Sequence, residues 1–141
     1  MKFKIKYADQ IVGFFSLLAI ASLILLIFAI GCFLSFATGT SWGTFGILIP
    51  VVASAFTGNY DLMIISISAC MAGAVWGDHI SPVSDTTIMS SAGAQCSLLD
   101  HVSSQLPYTL VVGFSSCISF LFAGLIENVF VCLVFSVLVL F

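Results

Sequence analysis

Two aspartates seven residues apart carry most of the chemistry that this sequence offers. Asp78 and Asp85 lie in Gly77-Asp78-His79-Ile80-Ser81-Pro82-Val83-Ser84-Asp85-Thr86-Thr87. Ser81 followed by Pro82 has the form of an N-cap and a first helical residue. Asp85 is then expected in the first turn of a new helix, where the dipole favours a negative charge. Asp78 has no such support. It follows an apolar run, Leu62 to Gly77, whose C-terminal end presents unpaired carbonyls and the negative end of the dipole. A carboxylate there is repelled and partly desolvated. Its position improves if a cation binds to it and to the carbonyls together, or if it takes up a proton. One site that holds either a cation or a proton, but not both, is the minimal chemistry of cation/proton exchange. Ser81, Ser84, Thr86 and Thr87 are candidates for further oxygen ligands, or for partners of freed backbone groups. His79 is a candidate proton relay or pH sensor, with carbonyl capping as the competing role.

A second polar segment, Thr38-Gly39-Thr40-Ser41-Trp42-Gly43-Thr44, puts four hydroxyls in seven residues. Its two glycines allow a tight turn. Thr38, Thr40 and Ser41 offer uncharged oxygens of the kind that hard cations take as ligands. The alternative is a surface loop between two spans, with Trp42 as an interfacial anchor. A third cluster, Asp100, His101 and Gln105, fits a solvated connection or cap as well as it fits an ion pathway; His101 is its candidate for proton relay or pH sensing. Glu127 is expected in a turn at headgroup level.

These residues need elements to hold them, and composition fixes what kind. The chain has 141 residues, of which 61% are hydrophobic and only 6% charged, with a mean hydropathy of +1.27. A soluble domain carries about a quarter charged residues. So sparse a set cannot cover a water-facing surface, which excludes a soluble enzyme and a nucleic-acid binder, and the chain is too apolar to remain disordered. No residue between Asp9 and Asp61 is charged. An all-α integral membrane protein is the fold class that follows.

Lys2, Lys4 and Lys6 are the only fixed cations, and basic residues before a first span favour the cytoplasm. The N-terminus is therefore expected inside. The following run is too long for a signal peptide, and no small-x-small cleavage site follows it. Ile11 to Ala37 can span with tilt. Phe45 to Phe56, interrupted by Pro50, cannot; nor can Leu62 to Gly77. Gly58 to Asp61 reads as a turn. Pro107 to Ile126 is a full-length helix with Pro at its start. Val129 to Phe141 ends inside an apolar run, as a fragment would. Short apolar pieces broken by Gly, Pro and polar residues predict discontinuous helices, whose freed backbone groups must be buried in protein or line a wet cavity. The expected organisation is a single membrane domain over 1–141: a re-entrant hairpin region at about 11–58, an interrupted helix at about 62–99, and final spans at 107–126 and 129–141. The five cysteines have no metal-finger spacing and behave as small hydrophobes. A His79, Cys96 and His101 metal set matches no zinc pattern.

FATGTSWGTFGILIP (36–50), AVWGDHISPVSDTTIMSSAGAQC (74–96) and DHVSSQLPY (100–108) resemble the C-terminal half of Na⁺/H⁺ antiporters of the NhaC type. The resemblance covers about residues 30 to 126. It implies half of a polytopic secondary transporter with two inverted repeats, each carrying a re-entrant hairpin and an interrupted helix, and an ion site where the breaks meet. Thr38 to Thr44 would be the hairpin tip and Gly77 to Thr87 the helix break with Asp78 and Asp85. It implies Na⁺ and H⁺ as substrates, no resident metal or cofactor, lipid as surroundings in a multi-pass cell-membrane protein, and a missing N-terminal repeat or a second copy as partner. Two alternatives stay open: an exchanger of small organic acids such as malate and lactate, and a non-transporting fragment. An intramembrane aspartyl protease is rejected. Asp61 and Asp78 flank one helix about 25 Å apart, too far to share a water.

Overall fold

The computed structural model describes residues 2–126 and 128–140, with side chains from residue 9 onward. Glu127, expected at a headgroup-level turn, lies outside the described residues. The described residues form six helices: α1 (Lys2–Thr38), α2 (Ser41–Ala55), α3 (Tyr60–Ile80), α4 (Asp85–Gly93), α5 (Leu98–Ile126) and α6 (Val129–Leu140). Three stretches are long and apolar enough to cross a membrane: Asp9–Thr38, Tyr60–Ile80 and Leu98–Ile126. The chain is an all-α membrane protein. Its exposed surface is largely apolar, with Phe33, Phe114 and Phe130 all prominent.

Several boundaries differ from the sequence-based expectation. The helix expected at Leu62–Gly77 starts two residues earlier and ends three later. Asn59 caps its start, its Oδ1 accepting from the amides of Asp61 at 3.1 Å and Leu62 at 3.2 Å. With 21 residues it reaches about 30 Å, a full span. The polar segment Thr38–Thr44 is mostly helical, and only Gly39 and Thr40 break it. Thr40 caps α2 by accepting from the Gly43 amide at 3.4 Å. Pro107 sits inside α5 rather than opening it. That helix is capped by Ser97, whose Oγ accepts from the Asp100 amide at 3.2 Å and donates to Asp100 Oδ2 at 2.7 Å. The 15 residues of α2 cover about 22 Å, short of the roughly 30 Å apolar layer.

In lipid, burying apolar side chains drives little association; close packing and interhelical hydrogen bonds do. The α1–α3 pair shows the first. Gly73 and Gly77 are four residues apart, a G-x-x-x-G pair. A Cβ on Gly73 would collide with the Phe28 carbonyl, and one on Gly77 with that of Cys32; a Cβ on Gly31 would lie 2.8 Å from the Cys70 carbonyl oxygen. The register, 28 to 73 and 32 to 77, makes α1 and α3 parallel, with α2 as the short return between them. The helix α5 runs antiparallel to both. Gly124 abuts Ala21, and Gly113 receives the Trp76 indole, whose Nε1–H donates to the Thr109 carbonyl at 2.6 Å. Phe28 stacks between Trp76 and Phe120, with centroids at 5.9 and 5.8 Å. The last helix, α6, folds back on α5 through Phe122 and Phe135, stacked at 3.8 Å.

Gly73→Ala is expected to lower stability by about 1–3 kcal/mol through forced separation of α1 and α3. Gly46→Ala, where an added Cβ meets nothing within 4 Å, should stay within about 0.5 kcal/mol of the parent. Thermal unfolding in detergent compares the two.

Candidate ion site at two helix breaks

The parallel pairing of α1 and α3 brings their C-terminal ends to one height, so the two breaks touch. Gly39 has φ +69, the left-handed region that glycine adopts without strain. A Cβ there would lie 2.6 Å from the Val83 carbonyl oxygen. The Gly39 carbonyl accepts from the Asp85 amide at 3.4 Å. Ser81, fully buried, donates from Oγ to the Phe36 carbonyl at 2.8 Å. The backbone groups freed by each break are thus partly satisfied by the other.

The sequence placed the start of the new helix at Ser81. The structure places it at Ser84. Ser81 closes α3, its amide donating to the Asp78 carbonyl at 3.1 Å. Ser84 caps α4, its Oγ accepting from the Thr87 amide at 3.5 Å. Pro82 therefore lies in the connection, where it needs no partner for a missing N–H. Asp85 still opens the helix, as expected, and is exposed; its Oδ1 accepts from the Thr86 amide at 2.7 Å.

Asp78 is 4% exposed, in the last turn of α3. Its Oδ2 accepts from Ser41 Oγ at 3.3 Å and from Thr86 Oγ1 at 3.4 Å. Thr86 Oγ1 in turn lies 2.8 Å from Ser84 Oγ. Asp78 Oδ1 is buried without a hydrogen-bond partner. Ser41 is the first residue of α2 and Thr86 the second of α4, so two helix N-termini converge on the carboxylate that the C-terminal end of α3 carries. Their dipoles favour negative charge and oppose the repulsion from the α3 carbonyls.

Of the sequence candidates, Asp78, Ser41, Thr86 and, through Thr86, Ser84 come together. Ser81 and Asp85 hold the backbone of the breaks instead. Thr40 is engaged as a cap, and Thr38 Oγ1 donates to the Leu34 carbonyl at 2.8 Å. His79 Nδ1–H donates to the Val75 carbonyl at 2.9 Å, the capping role weighed for it, while its ring also faces a cleft beside Asp78.

That cleft has a volume of about 500 Å³ and runs from Asp78 to His101 and Gln105. The third polar cluster therefore divides: Asp100 is the exposed partner of the α5 cap, whereas His101 and Gln105 look into the cleft. Trp42 and Phe45 form another wall, edge to face at 5.8 Å. The sequence reading assigned neither to the site. Helical spacing carried the signal: Ser41 with Phe45, Val75 with His79, Thr86 with Ser90, and His101 with Gln105 all stand four apart and share a helix face.

A family model described as the Na⁺/H⁺ antiporter family matches residues 6–125. An uncharacterized protein of Haemophilus influenzae is 50% identical over 100 residues, 70% of this chain and 19% of that protein. An uncharacterized Na⁺/H⁺ antiporter of the same organism is 40% identical over 79 residues, 54% of this chain and 16% of its own length. A malate-2H⁺/Na⁺-lactate antiporter of Bacillus subtilis is 33% identical over 97 residues, 64% of this chain and 20% of its own length. The chain thus spans a fifth or less of these relatives. No solved structure matches it.

Ser81→Ala is expected to cost about 1–2 kcal/mol, because the Phe36 carbonyl at the end of α1 loses the donor that the buried Ser81 supplies. Asp85→Asn should cost less, about 0.3–1 kcal/mol, since it removes only an exposed charge at a helix start. Thermal unfolding of the two variants side by side tests that order, which inverts the weight that the sequence gives to the charged residue.

Proposed function

The chain belongs to the Na⁺/H⁺ antiporter family, and from that premise we propose that it carries the cation site of a secondary active antiporter, in which Na⁺ and H⁺ compete for the Asp78 carboxylate. The observation that carries this reading is the carboxylate itself, 96% buried, with Oδ1 unpartnered. A buried acceptor without a donor is costly. Either a cation beside it or a proton on it removes that cost, and the two exclude each other.

The oxygen spacing supports a cation as one occupant. The Ser41 and Thr86 hydroxyls stand 3.3 and 3.4 Å from Asp78 Oδ2, long for O–H···O bonds, which centre near 2.7–2.8 Å. In an octahedral oxygen shell around a hard cation at about 2.4 Å, neighbouring oxygens are about 3.4 Å apart. Ser41 and Thr86 are the direct ligands beside Asp78 in this scheme. Ser84 orients Thr86. Asp85 and Ser81 act by holding the two breaks together, while Thr38 and Thr40 serve the ends of their own helices. His79 and His101, on the cleft wall, pass protons to and from the carboxylate.

Alternating access would carry the loaded site across the cell membrane, driven by the proton gradient, with the N-terminus in the cytoplasm and no cofactor beyond the transported ions. The remaining elements of a two-repeat transporter come from a longer protein or a second copy, and α1 with α2 forms the re-entrant hairpin of this half. Exchange of small organic acids finds less support in these residues. A carboxylate substrate would meet Asp78 with no fixed cation near, because the chain has no Lys or Arg beyond Lys6.

In everted vesicles from cells without antiporters of their own, Na⁺ is expected to collapse a preformed pH gradient when the parent chain is present. Asp78→Asn should slow this by roughly tenfold or more, equivalent to about 1.4 kcal/mol. Undiminished antiport in the Asn variant would sink the proposal.

A further inference from the structure

The cleft beside Asp78 is larger than an alkali cation requires. Six waters at about 30 Å³ each occupy about 180 Å³, so even a hydrated Na⁺ leaves more than half of the roughly 500 Å³ unfilled. Volumes of about 300–1,000 Å³ with a mostly apolar wall and a few convergent polar groups are typical of sites for organic ligands. Trp42, Phe45 and Val75 supply the apolar wall here, and Thr87, Ser90 and Gln105 are among the polar groups.

Among the described residues, Asp78 is the single acidic residue that lines the cleft, no Lys or Arg lines it, and His79 and His101 are the groups there that a proton would make cationic. The wall next to that carboxylate is aromatic. Trp42 follows Ser41 directly in α2 and is 79% exposed, its ring open to the cleft, with Phe45 packed against it edge to face. A carboxylate at one end and indole and phenyl rings beside it are the two features that recognise an organic cation: ion pairing for the charged head, and cation–π and apolar contact for the head and stem. A carboxylate substrate would find neither.

We infer that the same site takes an organic ammonium ion, its N–H groups on Asp78 and its apolar stem along Trp42 and Phe45, in exchange for Na⁺ or H⁺. This deepens the proposed function and rests on Asp78 as the cation site. No bond is made or broken. The ammonium head replaces the inorganic cation on the carboxylate, and the stem displaces water from the aromatic wall.

The test uses the purified chain in detergent and reads the thermal midpoint against concentration for four probes: Na⁺, methylammonium, n-butylammonium and lactate. Butylammonium is expected to stabilise at about tenfold lower concentration than methylammonium, because its additional methylenes leave water for the aromatic wall. Asp78→Asn should abolish the response to both amines. The Trp42→Ala/Phe45→Ala double variant should bring butylammonium and methylammonium to the same half-effect concentration. Equal responses to the two amines in the parent, or a butylammonium response that survives Asp78→Asn, would overturn the inference, as would stabilisation by lactate. The underlying reading fails separately. If Na⁺ stabilises parent and Asp78→Asn alike, Asp78 is not the Na⁺ site, whatever the amines do. If Na⁺ stabilisation depends on Asp78 while the amines respond alike, that reading stands and the organic cation is lost.

Discussion

Backbone contact between α1 and α3 is the constraint from which the rest of this structure follows. Gly31 on one helix and Gly73 and Gly77 on the other leave no room for a Cβ, and only so close an approach yields substantial packing energy where lipid already satisfies apolar surface. Because the pair is parallel, its two C-terminal ends finish together. One end leads into Gly39 and Thr40, the other into Ser81–Ser84. Two interruptions that are 44 residues apart in sequence, as from Gly39 to Val83, become one locus in space. If either glycine contact were spread by a side chain, the breaks would separate, and the hydroxyls of Ser41 and Thr86 would no longer address the same carboxylate.

The meeting of the breaks also answers how irregular backbone survives in a chain so poor in charge. Unsatisfied carbonyls cost several kcal/mol each in hydrocarbon. Here the Phe36 carbonyl accepts from Ser81 and the Gly39 carbonyl from Asp85. Each break is solvated by the other. Residues that look like ligands when read along the chain are therefore divided by duty. Some satisfy backbone, and the smaller set at the ends of α2, α3 and α4 surrounds Asp78.

Much of this organisation was legible in the sequence, and the failures have definite causes. The absence of charge from Asp9 to Asp61 set the solvent. The Gly, Pro and hydroxyl strings located both breaks. Helix ends were harder. Ser81-Pro82 has the form of a cap, but Ser81 spends its hydroxyl on a carbonyl 45 residues earlier, and no local pattern announces that. The span of α3 was underestimated because Asp78 and His79 looked like terminators. A buried carboxylate and a histidine bonded to its own turn both sit comfortably in a final helical turn. The division of the Asp100, His101 and Gln105 cluster needed the course of α5, which only tertiary packing supplies. For Trp42 the sequence leaves an interfacial anchor as an alternative, because exposure at a membrane surface and exposure to a cleft look alike in one dimension.

The electrostatics of Asp78 differ in kind from those of an acid at an isolated helix end. The C-terminal turn of α3 alone would repel its charge, and that repulsion motivates a proton or a cation. The first residues of α2 and α4 bring their hydroxyls to the same carboxylate, and the dipoles of those helices work in the opposite sense. A carboxylate so placed is held by no strong partner: its two hydroxyl contacts are long and one oxygen has none. A tight salt bridge with Lys or Arg at this position would have locked the acid in one state. The lack of any such residue after Lys6 leaves its occupancy to whatever enters the cleft. The exchange proposed for this site, loading on one side of a membrane and unloading on the other, would require that looseness, because an occupant bound too firmly could not leave.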